Sequence, residues 1–323
     1  MADDSNARRQ RLARDRLDQA ARAAWLYYIA ARTQDEIAAQ LHVSRQTAQR
    51  LIARAVAEKL IKFRFDHPLG ECLAKADQLT ARYRLAHCEV VPTLNGDDGS
   101  LPGLAIAAAQ YLETWLSQPA PLVIGFSTGR TLRAVAAEIS PLDAPQHKLF
   151  SLCGTLGYDG RAMAADPVTR IAERTGAQCF PMTLPLATST AAEKALAERQ
   201  RAYQTLQTLN RQARCLILGV GHIGWRAPLH QSGFITDAEL AALMEAGAIG
   251  EIAGCAFDVH ASRVVTPLAA RITALWAGDA EEAIRVGVAA GAEKLPALRA
   301  ALANGLLNGL ITDETTAAGL LAR

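Results

Sequence analysis

Residues 122–132 read Leu122-Val123-Ile124-Gly125-Phe126-Ser127-Thr128-Gly129-Arg130-Thr131-Leu132. A short apolar run meets a glycine, two hydroxyls and a second glycine, and helix-compatible residues come at once after them. That order predicts a buried strand, a tight turn and a helix entered at its N-terminus. Glycines let backbone approach a ligand closely, and the unpaired N–H groups of a first helical turn attract anions. Ser127, Thr128 and Thr131 add donors and Arg130 adds charge, so the loop has the make-up of an anion cradle. The Gly-Lys-Ser/Thr ending of a Walker loop is missing, so nucleotide hydrolysis is not implied. An ordinary strand-to-helix turn with a hydroxyl cap would share much of this pattern.

Working outward, Cys88–Val91, Leu149–Leu152 and Cys215–Leu218 are further apolar runs of strand length. Glu71–Tyr83, Ala105–Leu116, Thr131–Ile139 and Thr188–Leu209 read as helices. Alternation of strand and helix predicts an α/β fold: a mostly parallel sheet with helices on both faces. Ligands of such sheets sit beyond the carboxyl ends of the strands. Other loops expected there add candidates. Gly154-Thr155-Leu156-Gly157 comes after one strand, with Gly154 able to line the same crevice. Glu251 and Asp258 could accept from sugar hydroxyls. Lys294, after Ile284–Ala289 and Gly291, could meet a phosphate as a point charge. Gly219-Val220-Gly221-His222-Ile223-Gly224 imitates a dinucleotide fingerprint, but Pro228 falls where a second helical turn should continue, and the acidic residue expected about 20 positions on is out of place.

Toward the N-terminus, Thr33-Gln34-Asp35-Glu36 reads as a capping box. A short helix runs on through Leu41, then the turn Leu41-His42-Val43, then Ser44 as cap of a second helix. That helix offers Arg45, Gln46, Thr47, Gln49 and Arg50 on its exposed first turns. Ala48, Leu51, Ile52, Ala55, Val56 and Leu60 make its buried stripe. A recognition helix needs this division: long donors and acceptors toward base edges, and an apolar stripe gripping the preceding helix. Arg54 and Lys59 are placed for phosphates. His42 stands where many such turns carry Gly, and a left-handed backbone costs His more. Trp25, Leu26, Tyr28 and Ile29 predict an apolar face on an earlier helix, packed beneath this pair. Ile61–Phe65 alternates apolar and basic residues, as a short wing strand would. A helical hairpin used only for packing or oligomerisation is the alternative.

Composition narrows the classes. The chain has 323 residues, 50% hydrophobic and 20% charged, enough for one small and one large packed domain. We place the boundary so that 1–68 is the helix-turn-helix domain and 69–323 the larger one. Residues 1–65 hold 13 basic against 7 acidic side chains, a net of +6, which leaves −4 for the rest of a chain whose net charge is +2. A basic head on an acidic body suits contact with nucleic-acid phosphates. Six cysteines are scattered without a C-x-x-C pair, so neither a disulfide framework nor a metal site is expected. No run approaches a membrane span and no secretory signal opens the chain, so a cytoplasmic protein is expected.

Several of these segments recur together. Thr33-Gln34 through Ile37-Ala38, Ser44-Arg45, Val90-Val91-Pro92, Gly125–Leu132, Ala248–Ile252, Phe257-Asp258 and Gly309-Leu310-Ile311-Thr312-Asp313-Glu314 resemble, in order, the SorC family of sugar-responsive transcriptional regulators. This group also takes in DeoR-type and central glycolytic gene regulators. The resemblance implies a winged-helix-like reader of operator DNA, with Thr33, Gln34, Ser44, Arg45, Gln46, Thr47, Gln49, Arg50 and Arg54 as contacts. It implies an effector domain related to sugar-phosphate isomerases of the glucosamine-6-phosphate deaminase type, assembled as a dimer or tetramer, with no catalytic residues and no cofactor. Gly125, Ser127, Thr128, Gly129, Arg130 and Thr131 would hold an effector phosphate, with Lys294 near it; Asp258 and Glu251 would hold hydroxyls. Many relatives have paired glycines before the lysine, whereas this chain reads Ala289-Ala290-Gly291-Ala292-Glu293-Lys294. Glu293 beside the phosphate position leaves a free sugar or polyol as an alternative effector. An isomerase or deaminase is the rival activity, with Asp166, Asp258 and His260 as its candidate acids and bases.

Overall fold

The computed structural model describes residues 16–58, 60–61, 70–93, 99–156 and 166–322. It separates into two compact units, Met1–Asp66 and His67–Arg323. In the first, helix α1 (residues 16–28) precedes α2 (Gln34–Gln40) and α3 (Arg45–Ala57). Ala23, Leu26, Ile37, Ala38, Ala48 and Ile52 form their shared core. Thr33 and Glu36 cap α2 reciprocally, with Thr33 N–H donating to the Glu36 carboxylate at 2.8 Å. His42 takes the left-handed conformation (φ 54°). His42 N–H then donates to Ala39 and Val43 N–H to Ala38, which ties off the carbonyls at the end of α2. Ser44 Oγ accepts from Thr47 N–H and opens α3. Two expectations are corrected. Trp25, Tyr28 and Ile29 are exposed, because α1 turns Ala20, Ala23, Ala24 and Leu26 inward; Val56 is exposed on α3, as is Leu60 beyond its end. The wing strand expected over Ile61–Phe65 lies, beyond Ile61, outside the described residues.

The second unit opens with α4 (Gly70–Tyr83), β1 (His87–Val91), α5 (Leu101–Leu116), β2 (Val123–Phe126), α6 (Arg130–Glu138), β3 (Lys148–Ser151), α7 (Pro167–Thr175) and β4 (Gln178–Phe180). It continues through α8 (Ala191–Glu198), α9 (Arg201–Gln212), β5 (Cys215–Gly219), β6 (Gly221–His222), α10 (Pro228–Gln231), α11 (Asp237–Glu245), β7 (Gly250–Ile252) and β8 (Cys255–Phe257). It ends with β9 (Ile284–Val288), α12 (Leu295–Ala303), β10 (Gly309–Asp313) and α13 (Glu314–Leu321). Seven strands form one parallel sheet in the order β1-β10-β9-β5-β2-β3-β4. Alternate strand residues sort to opposite faces. Ile124, Phe126, Leu149, Cys215 and Ile217 meet α5, α6 and α7, while Phe150, Leu216 and Leu218 belong to the core with α4, α9, α12 and α13. The apolar runs lacked alternation because both faces are buried.

The sheet has a topological switch between β2 and β5. From β2 the chain leads outward to β3 and β4, and from β5 it leads the other way, to β9. Loops leaving these neighbours diverge and open a crevice at their carboxyl ends. Over that end stands an antiparallel sheet, β6-β7-β8. Thus Gly219–Gly224 runs into strand β6 rather than a helix, and Pro228 opens the short α10. The single helix expected over Thr188–Leu209 is two, because Arg199 ends α8 and Gln200 starts α9 anew.

Candidate functional site

The crevice is built on the ends of β2 and β5. Ser127 N–H donates to Ile217 at 3.1 Å, and Ser127 Oγ accepts from Gly219 N–H at 2.8 Å. Ser127 is 2% exposed, so its hydroxyl is committed to stitching the two strand ends together. Gly125 also serves packing: a Cβ there would stand 2.5 Å from Leu216 and Phe150 side-chain atoms. Beyond this floor the loop changes character. Thr128 Oγ1 is buried with no hydrogen-bond partner among the described residues. Gly129 (φ 124°) enters α6 without a side-chain cap, and a Cβ built on it meets only open space. The first N–H groups of α6 are therefore free donors beside that space, with Arg130 exposed and Thr131 partly so.

From β5 the chain supplies a partner that no sequence pattern nominated. His222, at the end of β6, has a buried Nδ1 that is unpartnered among the described residues. Burial pushes its pKa down, while Glu293 pushes it up and Lys294 and Arg226 push it down again, which places all four in one electrostatic neighbourhood. The Gly219–Gly224 turn was visible as a motif. That its histidine faces a crevice depends on β6 pairing with β7, which no local pattern announces.

Glu251 lies on β7 opposite Gly221. A Cβ on Gly221 would stand 2.1 Å from Glu251 Oε1, so the glycine makes room for the carboxylate. Glu251 Oε2 accepts from Gly254 N–H at 2.7 Å. Burial pushes its pKa up, opposed by that hydrogen bond and by Lys294. Lys294 precedes α12, and burial pushes its ammonium pKa down, against Glu293 and Glu251. Gly291 (φ 127°) shapes this loop as Gly129 shapes its own, and its N–H donates to Thr316 Oγ1 at 2.9 Å. Thr128, Arg130, His222, Glu251 and Lys294 thus belong to one end of the sheet.

Two further candidates have local structural roles. Gly154 is needed where the Leu184 carbonyl crosses, 1.7 Å from where a Cβ would be. Asp258 Oδ1 accepts from the His260 and Ser262 N–H groups, both at 2.9 Å, so it holds its own turn. Of the candidate acids and bases, Asp166 accepts from Ser151 Oγ at 2.6 Å and caps α7 through Val168 N–H. His260 is exposed. Among the described residues no side-chain-to-side-chain hydrogen bond or ion pair joins Asp166, Asp258 and His260, and no group of His, Cys, Asp and Glu is arranged to hold a metal.

On α3, Arg45, Gln46, Gln49 and Arg50 are exposed, and Thr47 and Arg54 partly so. Arg50 reaches Thr47 Oγ1 at 3.3 Å. Arg45 lies 3.6 Å from Asp35, a solvent-exposed pair of little energetic weight, readily exchanged for another anion. Thr33 and Ser44 are spent on caps, and Gln34 is half-buried at the start of α2. No helix of the described residues is long and apolar enough to cross a membrane.

Comparison with known proteins gives a consistent picture. Residues 67–322 match the family "Sugar-bind", described as a "Putative sugar-binding domain". The erythritol catabolism regulatory protein EryD of Brucella abortus is 33% identical over 304 residues, covering 94% of this chain and 96% of that protein. The transcriptional regulator LsrR of Escherichia coli K12 is 29% identical over 323 residues, covering 94% of each. The crystal structure of the full-length sorbitol operon regulator SorC of Klebsiella pneumoniae shares the fold, with a TM-score of 0.73 at 21% identity over 94% of this chain and 98% of that one. The chain belongs to the SorC-like sugar-binding domain family, whose named relatives are transcriptional regulators of sugar metabolism.

Proposed function

We propose that this protein is a sugar-responsive transcriptional regulator: α2 and α3 read operator DNA, and the crevice binds a small phosphorylated sugar or polyol. The observation that carries the effector half is the pair of orphaned polar atoms. Thr128 Oγ1, after β2, and His222 Nδ1, at the end of β6, are buried and unpartnered among the described residues, and they are the groups a ligand would satisfy. An uncapped helix start, Arg130 and Lys294 favour an anionic group there, and Glu251 suits a hydroxyl. The DNA half rests on two capped helices with long polar side chains at the exposed start of the second. In an oligomer, effector binding would favour one arrangement of the subunits and so change the spacing of paired readers and the affinity for the operator.

The test is a thermal-shift screen of phosphorylated sugars, free sugars and polyols, beginning with erythritol and its phosphate, since the Brucella relative is named for erythritol catabolism. A ligand at about 100 times its dissociation constant adds ~2.7 kcal/mol of stability. The reading requires that a phosphorylated compound stabilise the wild type and that Lys294→Met remove most of the shift. Stabilisation by the free polyol alone would sink the phosphate assignment, and turnover of the stabilising compound would replace a regulator by an enzyme. For the DNA half, Arg45→Ala and Arg50→Ala should each weaken retention of operator DNA by about 1–3 kcal/mol while leaving the effector shift intact.

A further inference from the structure

Helices α8 and α9 and the segment after β8 enclose a second cavity of about 110 Å³, which shares no residue with the crevice. Asn210, 2% exposed, lines it. Its Nδ2 donates to the Trp276 carbonyl at 2.9 Å, whereas its Oδ1 has no donor among the described residues. A desolvated amide oxygen left unmet in this way calls for a hydroxyl or N–H from outside the chain.

The charges lining the cavity are also incomplete. Lys194 and Glu198 lie 3.6 Å apart and neutralise one another. The Arg263 guanidinium lies over the Trp276 ring, 5.6 Å from its centroid. Among the described residues it has neither a hydrogen-bond nor an ion-pair partner, and the same holds for Arg211. Against these two cations stands Asp279, so the cavity is left with one net positive charge. A guanidinium held over an indole, with its N–H fork unused, is arranged for a carboxylate. The space matters too. At roughly 10–15 Å³ for each water-sized position, the cavity takes a molecule of about seven to eleven non-hydrogen atoms.

We propose that this cavity is a second ligand site, for a small hydroxycarboxylate whose carboxylate pairs with Arg263 and whose hydroxyl donates to Asn210 Oδ1. It is separate from the sugar crevice and its assignment does not depend on the effector bound there.

Isothermal titration of the full-length protein with D-glycerate tests the idea, with glycerol and propionate as the analogues lacking the carboxylate and the hydroxyls. Glycerate should bind saturably, one per chain, and each analogue at least about tenfold more weakly. Arg263 is exposed, so Arg263→Gln should fold normally and weaken glycerate by a similar factor. Arg263→Lys, which keeps the charge but not the fork, should fall between. Lys294→Met, in the crevice, should leave glycerate binding unchanged. The proposal is overturned if glycerate fails to saturate, if Arg263→Gln binds it as well as wild type, or if glycerol binds equally. Loss of binding in Lys294→Met would overturn it too, by placing glycerate in the crevice.

Discussion

Lys294, His222 and Glu251 are each shifted toward the less charged form, and burial is the leading cause in all three. An anion entering among them raises every one of these pKa values, so the three responses share a sign: protons are taken up. At pH 8 the phosphate itself is past its second ionisation, near 6, and contributes no opposing release. Titration calorimetry at that pH, in buffers of different ionisation enthalpy, should therefore show net proton uptake for a phosphorylated ligand and almost none for a neutral polyol. A zero slope for the phosphorylated ligand at every pH from 8 up through the ordinary lysine range would remove its charge from the neighbourhood of Lys294. Gly221 gives a second test. Gly221→Ala drives a Cβ into Glu251 Oε1, and displacing a buried carboxylate from its Gly254 hydrogen bond should cost about 1–3 kcal/mol in urea unfolding. Thr128 and Lys294 could be nominated from sequence because residue type and loop position suffice for a nomination. Asp258 shows the limit, since its Oδ1 accepts from its own turn, and a sequence shows that a carboxylate exists but not what one of its oxygens already holds.

The entrances of α3 and α6 depend on single residues. Ser44→Ala removes the cap of α3 and should destabilise the N-terminal unit by about 1 kcal/mol. His42→Gly should do the reverse by a few tenths. Relief of the left-handed backbone, of order 1 kcal/mol, is partly offset by the greater freedom of glycine in the unfolded chain. Unfolding curves monitored by circular dichroism check both. Gly129→Ala places a side chain at φ 124°, ψ 174°, a region costing an L-residue of order 1–3 kcal/mol, and it should weaken effector binding with the loop it distorts. The helices and central strands were legible because long periodic or fully buried runs announce themselves. The β6-β7-β8 sheet was not, as its strands have two or three residues and exist only through pairing. The break between α8 and α9 also escaped, for neither Gly nor Pro marks it. The aromatic stripe of α1 misled because three alanines, small enough for close helix approach, fill the core that larger side chains were expected to take.

Strand order, and with it the location of the crevice, could not be read from the chain at all. A parallel sheet leaves crossovers free to run either way, and the switch between β2 and β5 is a property of the whole path. The charge division was legible: a net of +6 over residues 1–65 against −4 over the remainder. If the N-terminal unit binds operator DNA, that charge predicts binding dominated by phosphate contacts and weakening steeply with salt. Arg45→Ala or Arg50→Ala would also lower specificity if the side chain meets a base, whereas a phosphate contact would reduce affinity evenly across sequences. If the two units act as one regulator, the coupling between them is reciprocal. A ligand that changes operator affinity by some factor must have its own affinity changed by the same factor when operator is bound, and tenfold corresponds to ~1.4 kcal/mol. Fluorescence anisotropy of a selected operator duplex, with and without ligand, gives one factor; calorimetry of the ligand, with and without duplex, gives the other. Equal factors well away from one would establish that the crevice and α3 bias one equilibrium. A ligand that binds the crevice tightly while both factors stay at one would mean that the crevice does not govern DNA binding, however well Thr128, His222 and Lys294 hold their ligand.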